Sequence, residues 1–319
     1  MPDDAHDHDH RHHGHGHDHG HSHGHAHGPA NFGPAFAIGT ALNLGFIAVE
    51  AVYGVIAHST ALLADAGHNL SDVLGLAVAW GASILGRRQP TARFTYGLRS
   101  TSILAAFANA VVLLLVMGAI AWEAIRRFGV AEPVAGTTVM VVAAIGIGVN
   151  GITAWLFASG RKGDINIRGA FLHMAGDALV SAGVVLAGLA ILVTGWLWLD
   201  PLVSLILAAI VVAGTWSLLR DSVMMSLGAV PGGIDPAAVR AYLAALPGVA
   251  RIHDLHIWPM STTEVALTCH LLMPGGHPGD KFAAELAREL QSRYGIGHTT
   301  LQIEIDESVA CALEPEHTI

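Results

Sequence analysis

The sequence has 319 residues, of which 52% are hydrophobic and only 13% are charged, and its mean hydropathy is +0.51. Soluble domains carry about a quarter of charged residues, so this composition excludes an ordinary water-soluble globule and indicates an integral membrane protein. The net charge of −9 and the lack of a basic segment also exclude a nucleic-acid-binding protein.

The chain begins with a histidine-rich segment. Residues 1–28 hold 12 of the 21 histidines, which alternate mainly with Gly and Asp. Such a polar segment buries too little apolar surface to fold, and a His-rich composition is typical of metal binding. We therefore predict a disordered, metal-binding tail over residues 1–33. The sequence leaves open whether this tail is required or only buffers the ion.

Six apolar runs follow, and they predict a transmembrane domain over residues 34–220. A hydrocarbon core about 30 Å thick needs about 20 helical residues, and each run is long enough. The predicted spans are 34–56, 61–85, 102–125, 137–158, 169–194 and 200–219. The links after the second and fourth spans carry seven basic residues, whereas the link after the third carries two. The positive-inside rule therefore places both termini in the cytoplasm.

The remaining residues predict a small cytoplasmic domain over 221–307 and a C-terminal tail over 308–319. Helical and strand patterns alternate here, and the predicted elements are a helix at 235–246, strands at 252–258 and 265–273, a helix at 282–294 and a strand at 299–306. This order indicates an α+β domain with its helices on one face of the sheet. The two cysteines, Cys269 and Cys311, cannot form a disulfide framework.

Four of the eight acidic residues between positions 29 and 220 fall well inside predicted spans, namely Glu50, Asp65, Asp72 and Asp177. A carboxylate at the centre of a span costs about 2.5–3.5 kcal/mol on insertion scales, so each of these side chains needs a compensating role.

Two of these aspartates follow a histidine by four residues, as His68 and Asp72 in span two and as His173 and Asp177 in span five. Residues four apart share one face of a helix, so each helix offers an imidazole nitrogen and a carboxylate oxygen. Two such helices facing each other supply four N/O ligands, the set that a tetrahedral zinc-like ion accepts. The lack of a thiolate disfavours Cu(I), and the imidazoles disfavour an oxygen cage for Mg²⁺ or Ca²⁺.

Two other interpretations of these pairs are hydrogen bonding between helices and a proton relay without a metal. The repeated spacing disfavours the first, and the His-rich tail disfavours the second. Asp65 would either orient the imidazole of His68 or line the path of the ion. Glu50, Asn43 and Asn150 would either line that path or hydrogen-bond between helices. If the spans are straight, the predicted boundaries place the two His/Asp pairs about 5–10 Å apart along the membrane normal.

From Asn43 to Asp306 the sequence resembles the cation diffusion facilitator family in its zinc-transporting branch. The resemblance rests on the segments Leu63–Asp72, Arg93–Gly97, His173–Asp177 and His253–Trp258. It implies a six-span homodimer in the cell membrane that exports Zn²⁺ from the cytoplasm in exchange for protons, with a ferredoxin-like cytoplasmic domain. It also implies that the transport-site ligands are His68, Asp72, His173 and Asp177.

The resemblance further implies structural or regulatory zinc ions in the cytoplasmic domain. The positions that match are His253, His270, His298 and Glu304, and the alternative is that these are ordinary surface side chains on a small sheet. His256 lies three residues from His253 in the chain, which predicts the opposite face of the strand. Cys269 is expected to point into the core.

These observations favour a secondary transporter rather than an enzyme, and the expected partners are divalent metal ions, protons, the lipid bilayer and a second copy of the chain. The sequence leaves the choice among Zn²⁺, Cd²⁺, Co²⁺ and Ni²⁺ open because all four accept such ligands. The main alternative is a membrane-bound metal sensor without transport. A membrane-embedded zinc hydrolase would need an activating acid, as in His-Glu-x-x-His, and the sequence has no such motif.

Overall fold

The computed structural model describes residues 34–128, 133–158 and 165–309, together with Cys311 and Leu313. The predicted N-terminal tail, residues 1–33, lies outside these residues, as does most of the predicted C-terminal tail. The described residues from Pro34 to Ser226 form mainly long helices, and a smaller part that contains both helices and strands follows.

The described residues of the first part form six long helices. They are α1 Pro34–Ile56, α2 Thr60–Gly86, α3 Thr101–Arg127, α4 Gly136–Ala158, α5 Ile165–Thr194 and α6 Leu199–Ser226. Among the described residues, four stretches are long and apolar enough to cross a bilayer, namely Thr101–Arg127, Gly136–Leu156, Phe171–Thr194 and Leu199–Ser226. A multi-pass membrane domain is thereby confirmed, while the number of six spans stays a prediction.

The helices pack in pairs, since α4 lies mainly against α5 and α3 lies mainly against α6. Glycine permits a close contact between α4 and α5. A Cβ added to Gly188 of α5 would stand 3.2 Å from the carbonyl oxygen of Gly136 and 3.2 Å from the amide nitrogen of Met140. Small residues matter here because helices in a bilayer attract each other mainly through close packing. Leu62 of α2 and Val184 of α5 belong to the apolar core beside this contact.

A buried carboxylate fastens the start of α2 to the first turn of α6. Asp200 is 1% exposed. It accepts hydrogen bonds from the Ser59 hydroxyl, from the Thr60 amide at 2.7 Å and from the Thr60 hydroxyl at 2.8 Å. Ser59 in turn caps α2 by accepting from the amide of Leu62. Donors at a helix N-terminus have no partner within the helix, so Asp200 satisfies groups that would otherwise be buried without one.

The second part is a three-stranded sheet with two helices. Its elements are α7 Pro236–Ala244, β1 Arg251–Pro259, β2 Val265–Leu272, α8 Asp280–Tyr294 and β3 Ile296–Glu304. The strand order is β1-β2-β3, with β1 antiparallel and β3 parallel to β2. Leu243 of α7 and Leu290 of α8 share one core with Leu267 and Cys269 of β2. The predicted order of elements and the predicted burial of Cys269 agree with this structure.

A β-bulge in β1 overturns the predicted orientation of His256. His253 lies opposite His270, and His256 lies opposite Thr268, so β1 has one more residue than β2 over this stretch. The extra residue falls at Asp254, whose φ of 50° is in the left-handed region. Because positions 268 and 270 share a face of β2, His253 and His256 also share a face of β1. The prediction of opposite faces was wrong because simple alternation does not hold through a bulge.

The turn between β1 and β2 contacts the link between α2 and α3. The Ser100 hydroxyl donates to the carbonyl oxygen of Met260 at 3.2 Å, and the Thr262 amide donates to the Ser102 hydroxyl at 3.1 Å. Arg99 also forms a 2.6 Å ion pair with Glu264. The sheet is therefore connected to the end of the helical part that carries the basic link.

Candidate functional site

The two His/Asp pairs of α2 and α5 come together in the structure. The Nε2 atom of His173 lies 3.2 Å from Asp72 Oδ2 on the other helix and 3.6 Å from Asp177 Oδ2 on its own. The Nε2 atom of His68 lies 3.5 Å from Asp72 Oδ2 and 3.8 Å from Asp177 Oδ1. Each imidazole nitrogen therefore faces both carboxylates, and the four side chains form one cluster.

The spacing of these atoms suits a tetrahedral divalent ion. Zinc binds nitrogen and oxygen ligands at about 2.0–2.1 Å, which makes the edge of a regular tetrahedron about 3.3–3.4 Å. The observed nitrogen–oxygen distances of 3.2–3.8 Å bracket this edge. Each of these four nitrogen–oxygen pairs is therefore near the separation that two ligands of one tetrahedral ion have.

The cluster is buried on one side and open on the other. The side chain of Asp177 is 6% exposed, whereas that of His173 is 44% exposed. The atoms Asp72 Oδ2, Asp177 Oδ2 and His68 Nδ1 have no hydrogen-bond partner among the described residues. Carboxylates at membrane depth require a compensating charge, and a bound cation or protons can provide it.

The expected difference in depth does not keep the pairs apart, since His173 Nε2 lies 3.2 Å from Asp72 Oδ2 and the ring centroids of His68 and His173 are 6.2 Å apart. Part of the reason is the length of α5, which begins at Ile165 rather than at the predicted residue 169. Four more residues move His173 about 6 Å further from the helix start than the sequence boundary indicated.

The other polar residues predicted near the path of the ion, here called the accessory residues, are Asp65, Glu50, Asn43 and Asn150. Asp65 accepts hydrogen bonds from the Ser181 hydroxyl at 3.2 Å and from the Asn69 amide at 3.5 Å. Asn69 also reaches Glu50, which is fully buried. Asp65 and Glu50 are thus joined through Asn69 and link α1, α2 and α5.

The other two accessory residues are asparagines on α1 and α4. The amide of Asn43 lies 3.5 Å from the sulfur of Met174, the residue next to His173. Asn150 is 1% exposed, and its Nδ2 has no hydrogen-bond partner among the described residues. Asn43 thus lies beside the His/Asp cluster of α2 and α5, while Asn150 is a buried polar group in the interior of the helix bundle.

A second cluster forms on the sheet of the cytoplasmic part. His253 Nε2 lies 3.4 Å from Glu304 Oε2, and His270 Nδ1 lies 3.1 Å from Glu304 Oε1. Burial opposes ionisation of Glu304, but hydrogen bonds with Cys311 and Gln302 and the nearby histidines outweigh it and hold the pKa of Glu304 below its usual value. Three of the four residues that the resemblance indicated therefore converge.

His298, the fourth of those residues, does not join this cluster. Its ring packs edge-on against Tyr96 at 5.5 Å, at the contact between the sheet and the link after α2. The reason is its place on β3, six residues before Glu304, which corresponds to about 20 Å along a strand. Within one chain, His298 and Glu304 therefore belong to different places on the sheet.

Sequence reasoning missed two residues of the cytoplasmic cluster. Cys311 lies 3.6 Å from His270 Nδ1, and Asp254 Oδ2 lies 3.4 Å from His270 Nε2. No spacing rule indicated either contact, because Cys311 follows the last strand and Asp254 reaches this face only through the bulge. It also missed Ser181 and Asp200, whose partners lie on distant helices.

Comparisons with known proteins agree with this arrangement. A family model described as the cation efflux transmembrane domain matches residues 36–225, and one described as the cation efflux protein cytoplasmic domain matches residues 231–306. The zinc transporter ZitB of Escherichia coli (strain K12) is 37% identical over 265 residues, which cover 82% of this chain and 84% of that protein.

Two further relatives carry names that include other metals. The cadmium, cobalt and zinc/H(+)-K(+) antiporter of Bacillus subtilis (strain 168) is 36% identical over 267 residues, covering 82% of this chain and 86% of the relative. The metal cation efflux system protein CzcD of Cupriavidus metallidurans is 35% identical over 269 residues, covering 84% and 85%. With the transmembrane model matching more than half of its length, the chain belongs to the cation efflux family of metal transporters.

Proposed function

We propose that the protein exports Zn²⁺ from the cytoplasm by proton antiport, through a tetrahedral site made by His68, Asp72, His173 and Asp177 between α2 and α5. The proposal rests on the observation that two imidazoles and two carboxylates come together between these helices. Their nitrogen–oxygen distances are close to the ligand–ligand distances around a tetrahedral zinc ion. The names of the relatives, which include zinc transporter, support zinc as the cargo.

The same ligand set also accepts Cd²⁺, Co²⁺ and Ni²⁺. Selectivity among such ions depends on geometry, ligand type and availability rather than on affinity alone. One relative is named for cadmium, cobalt and zinc together. We therefore include Cd²⁺ and Co²⁺ among the ions to be tested, with Ni²⁺ as the fourth.

Protons and the metal compete for the same atoms. An imidazole binds a metal only when it is neutral, and its ordinary pKa is about 6.5, so near neutral pH a small change in proton concentration shifts the balance. In the proposed cycle, Zn²⁺ from the cytoplasm displaces protons from His68 and His173. After the helices reorient, protons from the opposite side bind these nitrogens and the carboxylates and release the ion.

The proposed assembly is a homodimer in the cell membrane with six spans per chain and both termini in the cytoplasm. The arrangement of basic residues supports this orientation, and the match to the cytoplasmic domain of the family supports the second copy. In this orientation the contact between the sheet and the α2–α3 link lies on the cytoplasmic side, where incoming ions meet the protein.

The test is ⁶⁵Zn²⁺ flux into proteoliposomes with an imposed pH gradient, repeated with Cd²⁺, Co²⁺ and Ni²⁺. We expect Asp177→Asn and His173→Ala to abolish flux, since each removes one of four ligands. The matched controls are Asp221→Asn on the exposed side of α6 and His277→Ala in an exposed loop, and both should retain normal flux.

Normal zinc flux in both site variants would overturn the proposed site. Flux that is unaffected by the pH gradient, or by a protonophore, would overturn proton antiport while leaving metal export intact. Zinc binding without any flux in the unmodified protein would favour a metal sensor instead.

A further inference from the structure

The link between α2 and α3, residues 87–100, encloses a polar cavity together with the turn between β1 and β2. The cavity has a volume of about 300 Å³, and its walls include the side chains of Arg87, Arg88, Tyr96, Arg99 and Glu264. Three of these five side chains are cationic and one is anionic. The cavity therefore has a net positive charge, and its chemistry suits an anion.

The backbone of the link is folded so that it forms this cavity. Gly97 has a φ of 71°, in the left-handed region, and a Cβ added to it would stand 3.2 Å from the carbonyl oxygen of Arg88. The carbonyl oxygen of Phe94 accepts hydrogen bonds from the amides of Gly97 at 2.9 Å and Thr91 at 3.0 Å. The link thus turns back on itself and brings Tyr96 beside the arginines that follow α2.

Two of the arginines have no counter-charge from the protein. Arg87 and Arg88 are exposed, and their side chains form no ion pair within the described part of the chain. Arg99 is paired with Glu264 through Nη1, at 2.6 Å. A guanidinium group has five N–H donors, so this one contact leaves others for a further acceptor. An anion in the cavity would supply the acceptors that these three side chains lack.

The cavity lies where the chain leaves and re-enters the apolar part of the protein. α2 ends at Gly86, and the link ends at Thr101, where a helix long and apolar enough to cross a bilayer begins. Phe94 and Tyr96 of the link are 50% and 48% exposed. Aromatic side chains are enriched at the level of the lipid head groups. In the orientation proposed above, this is the cytoplasmic leaflet, where anionic lipids produce a negative surface potential.

We propose that this cavity binds the phosphate of an anionic phospholipid head group through Arg87, Arg88 and Arg99. Guanidinium groups match the oxygens of a phosphate in bidentate geometry, and basic pockets beside membrane helices bind such head groups. A free phosphate could use the same donors. The position between the ends of two membrane helices and the exposed aromatic side chains of the link favour a lipid, because its acyl chains can stay in the bilayer.

The test is a titration of the full-length protein in detergent with phosphatidylglycerol, followed by native mass spectrometry. A parallel titration uses phosphatidylcholine, whose head group contains a phosphate but carries no net charge. We expect one phosphatidylglycerol per chain to bind more tightly than phosphatidylcholine. Arg87→Gln and Arg88→Gln should each weaken this binding about fivefold, and the double variant about 30-fold, which is the effect of one or two arginines at an anionic lipid surface.

Two further variants separate the cavity from general surface charge and from misfolding. The matched control is Arg220→Gln, which removes an exposed arginine near the end of α6 and outside the cavity, and it should change the affinity little. Glu264→Gln should tighten the binding of phosphatidylglycerol, because it removes the anionic side chain from the cavity and releases Arg99. Such a gain in affinity does not result from a loss of folding.

Soluble competitors distinguish the two sources of phosphate. Inorganic phosphate and glycerol 3-phosphate should not displace phosphatidylglycerol from the unmodified protein at comparable concentrations. Displacement by either would identify a soluble phosphate as the ligand and overturn the lipid assignment. Phosphatidylglycerol binding that is no tighter than phosphatidylcholine binding would overturn it as well.

Unchanged affinity in the Arg87→Gln/Arg88→Gln double variant, or an equal loss in Arg220→Gln, would overturn the cavity as the site. The measurement is independent of metal transport, because Asp177→Asn should bind phosphatidylglycerol normally even though zinc flux is lost there. Conversely, failure of the lipid site would leave the assignment of the transport site unaffected.

Discussion

Replacing Asp200 by Asn tests whether its carboxylate fastens α2 to α6. The carboxylate accepts three buried hydrogen bonds, from the Ser59 hydroxyl and from the amide and hydroxyl of Thr60. An asparagine side chain has one acceptor oxygen instead of two. Its NH₂ group would face one of the Ser59 or Thr60 groups that donate hydrogen bonds to the carboxylate. At least one charge-assisted hydrogen bond is lost, and such bonds contribute about 1.5–3 kcal/mol each. We expect the free energy of unfolding to fall by about 2 kcal/mol.

The assay is unfolding of the purified protein in mixed micelles with increasing SDS, followed by tryptophan fluorescence. The matched control is Asp221→Asn, the same change at an exposed position of the same helix, which should alter the free energy of unfolding by less than about 0.5 kcal/mol. A loss in Asp200→Asn no larger than in this control would refute the reasoning.

A double-mutant cycle separates this contact from a general effect of the substitution. If the Ser59 hydroxyl donates to Asp200, the losses in Ser59→Ala and Asp200→Asn should not add, because each change removes part of the same contact. Strict additivity of the two losses would show that the residues act independently, contrary to the structure.

Two further predictions concern close packing and thiol reactivity. Gly188→Ala should lower the free energy of unfolding by about 1–3 kcal/mol, because its Cβ would meet backbone atoms of Gly136 and Met140 at 3.2 Å, whereas Gly183→Ala on the same helix has open space and should be neutral. In metal-free protein at about pH 8, iodoacetamide should modify Cys269 hardly at all under native conditions, since burial raises the pKa of its thiol to about 12. Mass spectrometry of native and denatured samples measures the difference, and rapid native modification of Cys269 would contradict its position in the core.

Features with a local cause could be predicted from the sequence. Runs of about 20 apolar residues predicted membrane helices because length and hydropathy alone decide whether a helix can cross a bilayer. The four-residue spacing of His68 and Asp72 predicted a shared helix face because an α-helix has 3.6 residues per turn. Gly295 predicted the end of α8, and it ends that helix in the left-handed conformation.

Features that depend on the meeting of distant segments could not be predicted in this way. The resemblance indicated His298 and His270 alike as residues of a zinc site. In the sheet, however, only His270 lies opposite His253. Cys311 follows the last strand and has no spacing relation to the histidines, so its position beside His270 depends on the path of the chain after β3. The orientation of His256 depended on a single residue, since one left-handed Asp254 reverses the alternation of a strand.

The amino-acid sequence by itself determined that this protein is embedded in a membrane and that two helices each carry an imidazole and a carboxylate on one face. Only the tertiary structure decided that those faces meet and that His253, His270 and Glu304 gather at the end of the sheet. The physical reason is that backbone geometry fixes the distance between residues on one helix or strand. The distance between elements is fixed by packing, which involves side chains from the whole chain at once.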